Sequence, residues 1–204
     1  MSLIYFFDTE TTGLPQFKLP SNDPIQPHLV DVAALLYDDA GTLVDSFETI
    51  IRPDGWVIPD EVAAIHGITT EMAMDLGMPE SEALDGFMAI HERAGLRVAH
   101  NRQFDDRIMR IALMRYRGED TAEAYKAGSG FCTMNATRDL VKCPPTEKMI
   151  RAGFTKYKNP TLAEAYRHFT GEDLQGAHRA RADAEGCALI YFALQAEEPR
   201  SAAV

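Results

Sequence analysis

Two acids stand two residues apart in Asp8-Thr-Glu10, directly after the apolar run Leu3 to Phe7. Side chains alternate faces along an extended segment, so Asp8 and Glu10 present both carboxylates to one side, a pincer for a hard cation. A third acid, Asp105, follows the short apolar run Leu96 to Ala99. The helical spacing of Phe104, Ile108, Ile111 and Ala112 places it in the first turn of a helix. A fourth, Asp183, comes five residues after His178 at the start of the last helix. Each pattern alone is common. A D-x-E pair is most often solvated, a histidine at a helix start more often caps or packs than catalyses, and His100 and Asp105 repeat the His178 to Asp183 spacing. Convergence carries the information, because four negative charges share a small volume only when cations neutralise them. Carboxylate and water ligands select Mg2+ or Mn2+ over zinc. Two such ions about 3.5–4 Å apart stabilise the attacking and leaving oxygens of phosphodiester hydrolysis. An imidazole beside the attacking water is a general base suited to neutral pH. The chemistry implied is metal-assisted phosphoryl transfer to water.

The elements that must position these groups are legible from periodicity and turn residues. Leu3 to Phe7 reads as a doubly buried strand ending in the turn-rich stretch Asp8 to Pro15. Residues 16–28, with Pro20, Pro24 and Pro27, read as a surface loop before a strand over Leu29 to Tyr37. Asp38-Asp-Ala-Gly41 turns that strand into an antiparallel partner, Val44 to Ile51. Pro59 to Ile65, Thr69 to Leu76 and Pro79 to Ala94 read as helices, and Leu96 to Ala99 as a strand. Phe131-Cys-Thr133 reads as a last short strand, followed by a helix to about Val141, a loop over 142–160, a helix over 161–170, and a final helix from about Arg179 to Leu194. A hairpin followed by alternating strands and helices predicts a mixed sheet flanked by helices, an α/β architecture with its site at the strand ends.

Composition bounds the reading. The chain has 204 residues, 46% of them hydrophobic and 25% charged, which excludes disorder and collagen-like repeats and suits one domain over 1–204 with a tail from about 196. The net charge of −11 disfavours long-range attraction to nucleic acid or to anionic membrane, so a polyanionic substrate must be held locally. Cys132, Cys143 and Cys187 are an odd number without a C-x-x-C pair, which points to a reducing, intracellular setting and a cytoplasmic location. The N-terminus has a five-residue apolar run without basic residues, neither a signal peptide nor a membrane span, and the mature chain is expected to start here.

Three segments together carry a family resemblance. Phe7-Asp-Thr-Glu10-Thr-Thr-Gly-Leu14, Ala99-His-Asn101-Arg-Gln-Phe104-Asp105 and Ala177-His178-x4-Asp183 match in order the three motifs of the DEDDh-type, DnaQ-like 3′→5′ exonucleases. This group includes the proofreading epsilon subunit of bacterial DNA polymerase III. Ile65-His66-Gly67-Ile68-Thr69 also resembles a segment between the family's first two motifs, and the match spans residues 3 to about 194. The resemblance implies a ribonuclease-H-like mixed five-stranded sheet flanked by helices, and two Mg2+ or Mn2+ ions. It implies that Asp8 bridges both ions, that Glu10 and Asp183 complete the site of the ion activating water, and that Asp105 holds the second. His178 is then the general base, because position 179, where the tyrosine subclass carries its base, is Arg. Thr11 and the backbone around Thr12 would contact the terminal nucleotide, and Leu14 would wedge against its base. Asn101 and Phe104 would shape the floor under the scissile phosphate. For Leu14 and Phe104 the alternative is core packing, and for His66, which would line the nucleotide pocket, a structural hydrogen bond in a loop.

Loop 142–158 sets Lys142, Lys148, Arg151, Lys156 and Lys158 against the single acid Glu147. It suits the phosphate backbone of a single strand, with Phe154 and Tyr157 stacking on bases; a solvated lysine-rich loop is the alternative. The expected substrate is the 3′ end of single-stranded or frayed DNA, the first motif reading like the epsilon-type enzymes. Expected partners are a DNA polymerase or a replication or repair complex, although the chain stops soon after its last helix where epsilon subunits carry a C-terminal extension. An exoribonuclease of the same superfamily and a non-catalytic nucleic-acid-binding subunit are the alternatives.

Overall fold

In the computed structural model, which describes residues 2–197, the opening apolar run becomes strand β1 (Ile4–Thr11). β1 pairs antiparallel with β2 (Leu29–Tyr37), which pairs antiparallel with β3 (Leu43–Arg52). Edge strand β4 (Met78–Pro79) lies parallel to β3, while β5 (Leu96–Ala99) lies parallel to β1 and β6 (Gly130–Cys132) parallel to β5. The order is β4-β3-β2-β1-β5-β6, one strand more than the expected five, because the two-residue β4 is too short to leave a hydrophobic pattern.

Strand alternation decides which helix each β1 side chain meets. Tyr5 and Phe7 pack with Leu84 and Phe87 of α3 (Glu80–His91) and with Ile108, Met109 and Ala112 of α4 (Arg102–Arg117). Ile4 and Phe6 point the other way, onto Cys187, Ala188 and Tyr191 of α9 (Ala180–Glu197). Phe6 and Phe7 are fully buried, each contributing roughly 1.5–3 kcal/mol. β1 is thus sandwiched between two helical layers and its C-terminal end is held rigidly.

Helices α1 (Asp60–His66) and α2 (Thr70–Leu76) fall where the sequence places them, as do α6 (Thr133–Val141) and α8 (Leu162–Thr170). Thr161 and Glu164 close a capping box at the start of α8. α3 stops at His91 rather than Ala94, and α5 (Glu119–Ala127) and the five-residue α7 (Glu147–Arg151) have no counterpart in the sequence reading. β1 runs to Thr11, so Asp8 and Glu10 lie within the strand rather than in a turn beyond it. Beyond Glu197 the expected tail lies outside the described residues. Among the described residues no helix is long and apolar enough to cross a membrane.

Candidate active site

Because Asp8 and Glu10 continue the Ile4 and Phe6 face, they point toward α9, where Asp183 occupies the first turn. Asp183 Oδ2 accepts the His178 backbone N–H at 3.1 Å, tying the residue before the helix to the helix itself. His178 has φ 65°, a left-handed conformation that a side-chain-bearing residue adopts at some cost, and its imidazole is exposed. Glu10, His178 and Asp183 each bring a ligand-type atom within 4.8 Å of the others.

Asp105 reaches the same strand end from the opposite layer. β5 pairs with β1 only as far as Phe6↔Val98, which leaves the β1 edge beyond it without a parallel partner. α4, which follows β5 after one turn, fills that gap: Asp105 Oδ1 accepts the Thr9 N–H at 3.1 Å and the Thr9 hydroxyl at 2.8 Å. Asn101, the N-cap of α4, turns the chain with φ 63°. The β1–β2 register slips between Glu10 and Thr11, a bulge that bends the strand at the site.

The electrostatics are those of acids crowded together. The Asp8 carboxyl is held well above the usual range by burial and by Asp105, Asp183, Glu10 and Asp31 around it. Glu10 is pushed up to about 7 by burial, Asp183 and Asp31, against the opposing pull of Arg179. Burial also raises Asp105, opposed by the Thr9 hydroxyl, and Asp183, opposed by the His178 N–H. Asp183 Oδ1 is buried without a hydrogen-bond partner among the described residues. An orphaned carboxylate oxygen among like charges fits a hard divalent cation.

The other expected residues divide into several kinds. The Thr11 hydroxyl donates to the Gly13 carbonyl at 2.7 Å and shapes the turn, and Thr12 Oγ1 accepts the His28 N–H at 3.0 Å, fastening that turn to the start of β2. Leu14 is 77% exposed, which removes core packing as its explanation. Phe104 is half-buried against the main core, so packing accounts for much of it. The His66 Nδ1 accepts the Ile68 N–H at 3.1 Å, the structural bond of a loop, while its buried Nε2 has no partner among the described residues. Asn101 is exposed. In loop 142–158, Arg151 pairs with Glu147 and Lys158 with Glu164 of α8.

Asp31 and Thr9 escaped the sequence reading. Asp31, paired across the sheet with Glu10, is buried and its Oδ2 accepts Arg179 Nε at 2.9 Å and the Ala180 N–H at 3.3 Å. It therefore anchors the start of α9 and, through it, His178 and Asp183. Its signal was present: an acid inside the otherwise apolar run Leu29 to Tyr37.

The RNase_T family profile, described as an exonuclease, matches residues 5–191, and the chain belongs to this DnaQ-like 3′→5′ exonuclease family. It is 32% identical over 183 residues to the uncharacterized exonuclease CP81 of Escherichia phage 186, covering 87% of this chain and 80% of the phage protein. It is 33% identical over 118 residues to the PolC-type DNA polymerase III of Thermotoga petrophila, covering 58% of this chain and 8% of the polymerase. In fold it resembles E. coli exonuclease I in complex with a dA16 oligonucleotide, with TM-score 0.76, 19% identity, and coverage of 98% of this chain and 42% of exonuclease I. The chain thus spans a small part of the polymerase and less than half of exonuclease I. The architecture is the ribonuclease-H-like α/β fold, here with six strands.

Proposed function

We propose that the chain hydrolyses the terminal phosphodiester bond at the 3′ end of DNA, preferring single-stranded or frayed ends, and releases nucleoside 5′-monophosphates. The observation that carries this reading is the meeting of Asp8 and Glu10 of β1 with Asp105 and Asp183 from the two helical layers, beside the exposed imidazole of His178 at one strand end. DNA is favoured because the solved relative holds a dA16 oligonucleotide and the Thermotoga relative is a DNA polymerase. The latter also supports a polymerase or a replication or repair complex as partner. The family match over 5–191 supports a single exonuclease domain over 1–204.

Asp8, Glu10 and Asp183 would hold one divalent ion, and Asp8 with Asp105 a second, both Mg2+ or Mn2+. When bound, these ions neutralise the carboxylates and act as Lewis acids on the phosphoryl oxygens. His178 takes the proton of the attacking water on its imidazole, its backbone fixed by Asp183. Thr11 and Thr12 hold the turn that carries Leu14, whose exposed side chain meets the terminal base. His66 lines the nucleotide pocket, and Asn101 and Phe104 form the floor beneath the scissile phosphate.

The test is incubation of 5′-labelled single-stranded DNA and its RNA counterpart with Mg2+, Mn2+ or EDTA, alongside Asp8→Ala. A metal-dependent ladder shortening from the 3′ end of the DNA is expected. In Asp8→Ala, turnover should fall by several orders of magnitude while folding is kept or improved, since repulsion is relieved. Substantial residual turnover would remove Asp8 from the mechanism, and a ladder from RNA alone would make the protein an exoribonuclease. No cleavage of either polymer by a folded protein would favour a binding subunit.

A further inference from the structure

Beside the acid cluster, on the far side of Asn101, opens a cleft of about 580 Å3 whose lining includes Phe17, Arg102, Arg107, Arg110 and Lys126. Helical phase explains why one helix serves both places. Asp105, Ile108, Met109 and Ala112 of α4 are buried toward the sheet, while Gln103, Arg107 and Arg110, at i, i+4 and i+7, line the cleft. Asp106, the one acid among the lining residues, is engaged by Arg97 and Arg102, and Glu123 by Arg110 and Lys126. Among the described residues Arg107 donates only to neutral groups, the Ser21 hydroxyl and the Leu19 and Gln16 carbonyls. Four lining cations against Asp106 and the neighbouring Glu123 leave this wall positive in a chain of net charge −11. The same Arg107 contacts fix the loop that carries Phe17, which is 55% exposed.

We propose that this cleft binds the nucleotides on the 5′ side of the scissile bond, with their phosphates on Arg107, Arg110 and Lys126 and a base stacked on Phe17. The proposal rests on the exonuclease reading above and adds the path of the strand, which leaves the site along α4 rather than over loop 142–158. From Asn101 to Arg110 the helix rises roughly 13 Å, room for about four nucleotides at a stacked spacing of about 3.4 Å. Backbone phosphates and a base face are common to DNA and RNA, so the cleft itself reads strand length rather than sequence.

The deciding variant is Arg110→Gln with Lys126→Gln, which lies outside the acid cluster and leaves behind only the partly exposed Glu123. Binding of fluorescein-labelled twelve-nucleotide oligo(dT) and oligo(U), followed by anisotropy in Ca2+, should weaken about tenfold. The slope of log affinity against log salt should fall by about 1.4, the loss of two phosphate contacts to a single strand. Hydrolysis of the p-nitrophenyl ester of thymidine 5′-monophosphate, too short to reach the cleft, should not change. Equal losses on the two polymers assign the cleft to the backbone alone, and a larger loss on one assigns it a sugar preference as well. Wild-type affinity and salt slope in the double variant would overturn the proposal. So would a loss of slope in Lys148→Gln with Lys156→Gln instead, which would send the strand over the basic loop. If the wild-type protein cleaves neither ester nor oligomer in Mn2+, the exonuclease reading fails, and the binding measurement still judges the cleft.

Discussion

Asp105 and Thr9 are joined twice: one carboxylate oxygen takes both the amide N–H of Thr9, at 3.1 Å, and its hydroxyl, at 2.8 Å. The contact replaces a missing strand, since β5 has already ended and the β1 edge would otherwise expose an unpaired donor. Sheet completion and placement of an acid are therefore one structural event.

Thr9→Val removes the hydroxyl while keeping the shape, so Asp105 keeps the backbone bond and loses half its tether. Stability should fall by about 1–3 kcal/mol, the usual cost of leaving a buried hydrogen-bonding group without its partner. Turnover should fall ten- to a hundredfold with little change in KM, because the acid is misplaced and binding of the nucleotide is not. Thr9→Ser should restore both. Full turnover in Thr9→Val, measured on the p-nitrophenyl ester beside a thermal melt, would show that the backbone bond alone positions Asp105.

The second tether is Asp31, whose carboxylate holds Arg179 and the first amide of α9. Asp31→Ala leaves the buried Ala180 N–H without its partner and frees the left-handed residue His178, so both melting temperature and turnover should drop. Asp31→Asn keeps an acceptor for that N–H and should lie between. The alanine variant should also let Glu10 fall back toward the ordinary carboxylate range, because Asp31 is one of the charges raising it. A melting temperature equal to wild type in Asp31→Ala would contradict the anchoring role.

Local signals carried most of the architecture. The β2–β3 hairpin, the capped helices and the strand before Asp105 all follow from patterns within a few residues. What escaped was set by partners distant in sequence. α5 is a short polar helix whose buried Ala122 and Tyr125 leave no long apolar stripe. β4 is two residues that pair because β3 is there to receive them. The five acids of the site show the same division: Asp8, Glu10, Asp105 and Asp183 stand in recognisable motifs, while Asp31 functions through a contact 148 residues away. Phe104 is the converse, a motif position that the fold uses largely for packing.

His178 offers a kinetic handle. Its side chain is exposed while its backbone is fixed by Asp183, so His178→Ala should fold normally and lower turnover by something like 10²–10⁴-fold. If the variant keeps wild-type turnover, measured beside a thermal melt that shows it folded, another group accepts the proton and His178 is not the base.

The acid cluster should also leave a signature in stability without any turnover. Glu10 has a folded-state value of about 7 against an ordinary 4.5, and Asp8, Asp105 and Asp183 are displaced in the same direction. Between those two values the folded chain binds more protons than the unfolded chain, so in EDTA this contribution to stability is present below about pH 4.5 and is lost as pH rises through 7. His66, His91 and His100 act oppositely, because burial lowers their values and favours the folded state as they lose protons. The comparison that isolates the acids is wild type against Glu10→Gln, melted in EDTA at intervals from pH 4.5 to 8. Glu10→Gln should gain stability relative to wild type steadily across that interval, since it lacks a charge forced on the site at high pH. On the proposed reading a divalent cation would bind the deprotonated cluster, so adding Mn2+ should raise the wild-type melting temperature most at the alkaline end and raise that of Glu10→Gln less. A constant difference between the two proteins across the whole range in EDTA would mean that Glu10 ionises as it does in water, and that the carboxylates are not crowded enough to require a cation.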